Sequence, residues 1–217
     1  AAAALTTISA YAQNNGGTAP VAADYTAAGV TGIGGAGQPT VAQINAALAD
    51  ADVIGTAADS TAEVQGIVDA YQAILANADG TANNATSPSA ADYTKLGVTG
   101  IDTAAELGLL GDVIDGKTAA DVATPAALQA LADAAAATVA YDGTNTAPTQ
   151  AQLEALGVTG LTADNLAAVL AAIDAANSDG TPIASLADLQ GVAATATGGA
   201  AAALTTISAY AQNNGGT

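Results

Sequence analysis

The stretch STAEVQGIVDAYQAIL, Ser60–Leu75, places Val64, Ile67, Val68, Tyr71, Ile74 and Leu75 at steps of three and four. That spacing lines one face of an α-helix and does not suit a strand, whose faces alternate at every residue. Ser60 and Glu63 open it as a capping box, each side chain offering an acceptor to a backbone N–H at the helix start. Two further stretches share the pattern, with a glutamine in the place of Gln65: TPAALQALADA from Thr124, with Gln129, and SLADLQGVAAT from Ser185, with Gln190. Thr124 precedes a proline suited to the first helical position, and Ser185 pairs with Asp188.

Upstream of each lies GVTG, at Gly29–Gly32, Gly97–Gly100 and Gly157–Gly160, with spacings of 68 and 60 residues. Each closes a short predicted helix that begins in PVAADYTAAGV, PSAADYTKLGV or PTQAQLEALGV. Pro20, Pro88 and Pro148 stand just before these starts, where a missing N–H does little harm. Ser89 with Asp92 and Thr149 with Gln152 read as their caps. Gly29, Gly97 and Gly157 are placed for a left-handed residue, and the valine after each can fold back as in a Schellman stop. Tyr25 with Val30 and Ile33, Tyr93 with Val98 and Ile101, and Leu153 with Val158 and Leu161 form equivalent apolar sets.

A second helix lies between these two markers. It is clearest in TADNLAAVLAAIDAAN, with Thr162 as N-cap and Leu166, Val169, Leu170 and Ile173 at helical spacing. TVAQINAALADAD from Thr40 and DTAAELGLLGDVID from Asp102 are its counterparts, the first preceded by a glycine-rich insertion, GGAGQP. The expected fold is therefore all-α, a tandem array of three small Ala-rich three-helix modules. An all-β array of cadherin-like or immunoglobulin-like domains is the rival architecture, but alternating apolar and polar runs are scarce.

A larger period frames the smaller one. AAAALTTISAYAQNNGGT occupies residues 1–18 and again residues 200–217, an offset of 199. Such recurrence suggests a piece of a longer tandem array, a duplicated terminus being the other account. Residues 1–17 then read as the C-terminal half of a helix from the preceding repeat. Residues 18–81 form module 1, 82–144 module 2, and 145–217 module 3 with an extended last helix. Gly198–Gly199 is expected to interrupt that helix, as a kink or as a true break, before it resumes. Alanine is the commonest side chain and buries little surface, so stacking against neighbours is expected to complete each core.

Twenty acidic residues face two lysines, Lys95 and Lys117, for a net charge of −18. With no cationic surface to displace counterions from phosphates, nucleic acid is not an expected partner, and an anionic bilayer repels such a surface. The charge favours solubility and mutual repulsion. Cysteine is absent, which excludes disulfides and thiolate metal sites within these residues. No run of 18 apolar residues suggests a membrane span, and no charged segment leads into an apolar stretch as a signal peptide would.

Candidate chemistry is thin. Without His or Cys, no Ser–His or Cys–His nucleophile can be assembled from this chain. The carboxylate pairs Asp112/Asp115 and Asp50/Asp52 lack an Arg or aromatic platform and read as solvated charge at helix ends. GIGGAG at Gly32–Gly37 follows a helix stop rather than a strand, so it reads as a flexible insertion and not as a phosphate loop. The expectation is no enzyme and no cofactor. Calcium is the one metal considered, with weak candidates Asp79 in NADGTANN, Asp142 in YDGTN and Asp179 in NSDGT, because hard cations take such oxygen donors. Ordinary turn chemistry explains the same residues. The tyrosines at 11, 25, 71, 93, 141 and 210 are read as core residues ahead of contact hot spots.

The order YTAAGVTG, TVAQINAALADAD, STAEVQGIVDAYQAIL resembles the three-helix albumin-binding-type (GA) modules of bacterial surface proteins. That resemblance covers about 55 residues per module, and it implies a small three-helix bundle. Albumin binding is not carried over, because of the insertion before the second helix and the near absence of lysine. In composition the chain resembles the tandem-repeat region of a giant extracellular bacterial adhesin or filament protein. This implies an extracellular or cell-surface structural repeat, a spacer, stalk or fibre subunit whose partners are neighbouring copies of itself. The two lysines leave trypsin only two cut sites, an advantage outside the cell. The alternative is an adhesive module that engages a host protein or glycan.

Overall fold

The computed structural model describes residues 1–82, 87–180 and 182–214; Asn83 and Asn84 of the NADGTANN stretch, Thr181, and the end of the expected third module at 215–217 lie outside it. Among the described residues there are ten α-helices and no strand. They are α1 (Ala2–Gln13), α2 (Ala22–Ala28), α3 (Val41–Leu48), α4 (Thr61–Asn77), α5 (Ala90–Lys95), α6 (Ala104–Asp115), α7 (Pro125–Ala140), α8 (Gln150–Ala155), α9 (Leu166–Ser178) and α10 (Leu186–Asn214). The all-α expectation holds, and the β rival falls.

The helix starts follow their caps. Glu63 N–H donates to Ser60 Oγ at 3.3 Å and Ser60 N–H to Glu63 Oε2 at 2.9 Å. Thr149 and Gln152 exchange the same two bonds, as do Thr40 and Gln43. The cap of α6 is Thr103 rather than Asp102: its hydroxyl accepts from Glu106 N–H, and its own N–H donates to Glu106 Oε2. Helix α9 begins later than expected from Thr162. Asn165 accepts the Thr162 N–H and donates to Gly160 O, holding residues 163–165 in a turn ahead of Leu166. A short amide that bonds nearby backbone competes with the helix in this way.

The three glycine stops form as the spacing predicts. Gly29, Gly97 and Gly157 have φ of 83°, 82° and 100°. Val30, Val98 and Val158 donate back to Tyr25 O, Tyr93 O and Leu153 O at 2.9, 3.0 and 3.0 Å. All three valines are buried. Asn15 closes α1 by the same device at φ 49°, with Gly16 N–H reaching Tyr11 O.

The chain divides into two compact units. Unit 1 comprises Ala1–Asp102 and Gly111–Ala132; unit 2 comprises Thr103–Leu110 and the chain from Asp133 onward. The expected boundary at 81/82 thus lies within unit 1, and that at 144/145 within unit 2. In unit 1, α4 packs against α3 and α5, and α1 against α2 and α3. Tyr25, Ile44, Leu48, Val64, Ile67, Val68, Tyr71, Ile74, Tyr93 and Leu96 fill its core. Joins between the expected first and second modules are polar as well as apolar. Tyr71 Oη donates to Val122 O at 3.0 Å, Asn77 Nδ2 to Gly111 O at 3.0 Å, and Gly80 N–H to Lys117 O at 2.8 Å. In unit 2, α9 packs against α10, with Val169, Ile173, Ile183, Leu189 and Ala193 buried.

The expected interruption of the last helix is corrected: helix α10 runs unbroken through Gly198 and Gly199. Two helical glycines cost only about 1 kcal/mol each relative to alanine, and the alanine and leucine around them sustain the helix. Because the glycines do not end it, the helix has one segment, Leu186–Tyr210, long and apolar enough by length and composition to cross a membrane, although it contains no run of 18 consecutive apolar residues. The GGAGQP insertion forms a hydrogen-bonded turn, Gly34 N–H donating to Pro39 O and Gly35 N–H to Gln38 Oε1.

Candidate functional site

The two sequence markers, GVTG and the glutamine of the third helix, meet in space. Gln65 is at the second turn of α4, pointing across to the α2 stop. Its Oε1 accepts from Thr31 N–H at 3.0 Å, and its Nε2 donates to Thr31 O at 3.2 Å. Gln129 of α7 grips Thr99 in the same two-bond manner, at 2.9 and 3.1 Å. In the third segment Gln190 reaches Gly157 O instead, at 3.4 Å. An extended residue just past a Schellman stop has a free N–H and C=O, and a primary amide matches both. This clasp is structural. Replacing Gln65 by Ala is expected to lower unit 1 stability by about 1 kcal/mol, two partly exposed hydrogen bonds being lost. Urea unfolding followed by circular dichroism measures it, and Gln65→Glu tests the amide donor separately.

The calcium candidates fall in three separate turns. Asp142 Oδ1 accepts from Thr144 N–H at 2.9 Å, Thr144 Oγ at 2.8 Å and Asn145 N–H at 3.1 Å. Asp79 Oδ1 accepts from Thr81 N–H at 2.8 Å. Asp179 caps the end of α9, ahead of Gly180 at φ 87°. Each is an aspartate closing its own turn, and among the described residues no three acidic side chains gather where a cation could sit. The asparagines of two of these stretches do something sequence reasoning missed. Buried Asn77 holds Gly111 O, and Asn177 donates to Thr138 O and Tyr141 O while accepting from Ile183 N–H. No local signal marks them, because their partners are 34 to 39 residues away in the first two cases.

The hydrogen bonds at Asp142 have a pH consequence. Thr144 N–H, then its hydroxyl, then Asn145 N–H hold the carboxyl below its ordinary range. Stability from this turn is present above the unfolded-state value, about 3.9, and is lost as pH falls through the lower folded value. Asp142→Asn is therefore expected to be less stable than the parent at neutral pH, with the difference vanishing in acid. Carboxyl NMR titration should give Asp142 a midpoint below that of an unstructured aspartate. Asp121 is lowered in the same sense by Thr118.

Asp50 Oδ1 accepts from Asp52 N–H across a turn, and Asp112 and Asp115 lie along α6. A groove of about 440 Å3 in unit 1 is lined by Asp52, Val53, Glu63, Ile67, Thr94 and Lys95, so two carboxylates, a hydroxyl and an ammonium share its wall.

The tyrosines separate by environment. Tyr25, Tyr71 and Tyr93 are buried, and burial raises the pKa of each. Tyr25 donates to Asn45, which in turn holds Pro20 O. Tyr210 is 70 % exposed, beside Leu204 at 64 % and Ile207 at 65 %. These three form an apolar strip on the second half of α10, and they sit in the copy of the sequence that also makes α1.

Helix α1 has a different environment. Ala4, Ile8 and Ala12 are buried, at steps of four, against α2, α3 and the 3-10 turn Gly55–Ala57. Ser9 Oγ donates to Gly55 O at 2.9 Å. A Cβ on Gly55 would stand 2.9 Å from Gln13 Cβ and from Ser9 O, so only glycine lets the helix come this close. Gly55 carried no signal in the sequence. In comparisons with family models, curated proteins and solved structures, nothing matches this chain.

Proposed function

We propose that this chain is a structural repeat of an extracellular bacterial filament or giant surface protein, a spacer, stalk or fibre subunit that associates with neighbouring copies of itself. One observation carries the reading: the same device is made three times. A short helix, a left-handed glycine and a buried valine recur in all three segments. A glutamine 30 to 34 residues downstream reaches each stop, with two bonds to the threonine in the first two segments and one to the glycine carbonyl in the third. Repetition of one scaffold along a chain serves length and stiffness. The tandem three-module arrangement, with each segment a bundle of the GA type, belongs to this proposal. The acidic surface keeps such an array hydrated, and the scarcity of lysine limits tryptic cleavage.

Electron microscopy of native material tests it. Fibres or stalks with a regular axial repeat are expected. A dispersed monomer that captures a soluble host protein or glycan would overturn the structural reading in favour of an adhesive one.

A further inference from the structure

We propose that the second half of α10 is the docking element for a second copy of this chain, and that it occupies there the seat that α1 fills here. This rests on the self-associating reading above and names the surfaces involved. Residues 200–214 repeat residues 1–15 one for one. Both copies are helical. In the first copy Ile8 and Ala12 are fully buried and Ala4 nearly so; in the second the equivalent of Ile8, Ile207, is 65 % exposed. The same side chains on the same helix have the same complementary surface, and that surface is visible: α2, α3 and the Gly55–Ala57 turn. A second copy of that surface is the occupant of the strip.

Helix α10 is continuous from Leu186, and its first half is anchored in unit 2 by Leu189 and Ala193. It therefore presents the strip as a rigid extension. In a covalent array the strip and α1 are one element, a helix whose front half belongs to one copy and whose back half completes the next. Between separate chains, the incoming helix exchanges with the resident α1. The resident copy is tethered through Asn15, Gly16 and Gly17, which gives it a high effective concentration at its own seat. Exchange in the unaltered chain is accordingly slow. A bilayer is the competing occupant, given the length and apolarity of Leu186–Tyr210. It is disfavoured because this sequence already has a proteinaceous seat.

The test uses the full chain. Ile8→Asp vacates the seat and leaves Ile207 intact. Sedimentation velocity is expected to show a mass rising to about twice the monomer or more with concentration, by mass action. Ile8→Asp/Ile207→Asp is expected to return to the monomer. An Ile8→Asp chain that keeps its helical circular dichroism yet stays monomeric overturns the proposal, as does a double variant that associates equally well. Flotation of the monomer with phosphatidylcholine vesicles would assign the strip to lipid and also overturn it.

Should Ile8→Asp lose its fold, a cysteine pair in the otherwise unchanged chain decides. Gln13, whose equivalent is Gln212, and Thr56 line one groove beside the α1 seat, so a cysteine at 56 reports a docked Gln212 without placing a Cβ on Gly55. Oxidised Thr56→Cys/Gln212→Cys is expected to give a ladder of linked chains. Thr56→Cys/Thr206→Cys, at the equivalent of exposed Thr7, is not expected to do so. Equal ladders, no linkage, or closure within one chain would each refute the docking. Regular fibres that survive Ile207→Asp would leave the structural function standing and remove this interface from it.

Discussion

Replacing Tyr71 by Ala is expected to destabilise unit 1 by about 3–5 kcal/mol, the range for deleting a buried aromatic side chain. Tyr71 has no exposed surface and spans from α4 to the segment after α6, where its hydroxyl satisfies Val122 O. The substitution removes the ring, leaves a cavity, and strands a buried carbonyl. Urea unfolding monitored at the helical circular dichroism band reads the loss directly. The phenol and the ring can be separated. Tyr71→Phe leaves only the carbonyl unpaired and is expected to cost about 1–3 kcal/mol. Tyr93→Phe is expected to be neutral or stabilising, because the Tyr93 hydroxyl is buried without a hydrogen-bond partner among the described residues. A large loss for Tyr93→Phe would show that its hydroxyl is paired after all.

Gly97→Val is expected to cost about 2–4 kcal/mol, combining a left-handed backbone for a β-branched residue with overpacking. Gly97 sits at φ 82°, and a Cβ there would lie 2.5 Å from Asp50 Oδ1 and 2.9 Å from Asp50 Cβ. The same position ends α5 and delivers Val98 to the core and Thr99 to the Gln129 clasp, so three interactions shift together. Gly100→Ala provides the comparison. Gly100 has φ 76° but open space around it, so it should lose only the backbone term, about 1–2 kcal/mol. Equal losses at the two sites would mean that the approach of Asp50 is irrelevant.

The reading of particular elements shows what local signals can reach. Caps at Ser60, Thr149 and Thr40 and stops at Gly29, Gly97 and Gly157 were legible because each is settled within about five residues by backbone sterics and a side-chain acceptor. The apolar spacing of α4 foretold its buried face for the same reason. The start of α9 was misplaced because Asn165 has a local alternative to helix, and residue spacing alone does not rank the two. The expected interruption at Gly198–Gly199 is absent because glycine weakens a helix without forbidding it, and nothing crowds either residue.

Local chemistry, then, determined the helices, their ends and the recurrence of one motif, since these depend on neighbours along the chain. Only tertiary structure decided which side chains meet. It brought Gln65 to Thr31, turned Asn77 and Asn177 inward, grouped the chain into two compact units, and made Gly55 the close contact for α1. The eighteen-residue repeat states the difference most sharply. One sequence yields one helix in both places, yet Ile8 is buried and Ile207 is bare, because burial depends on what lies alongside and a sequence does not carry that by itself.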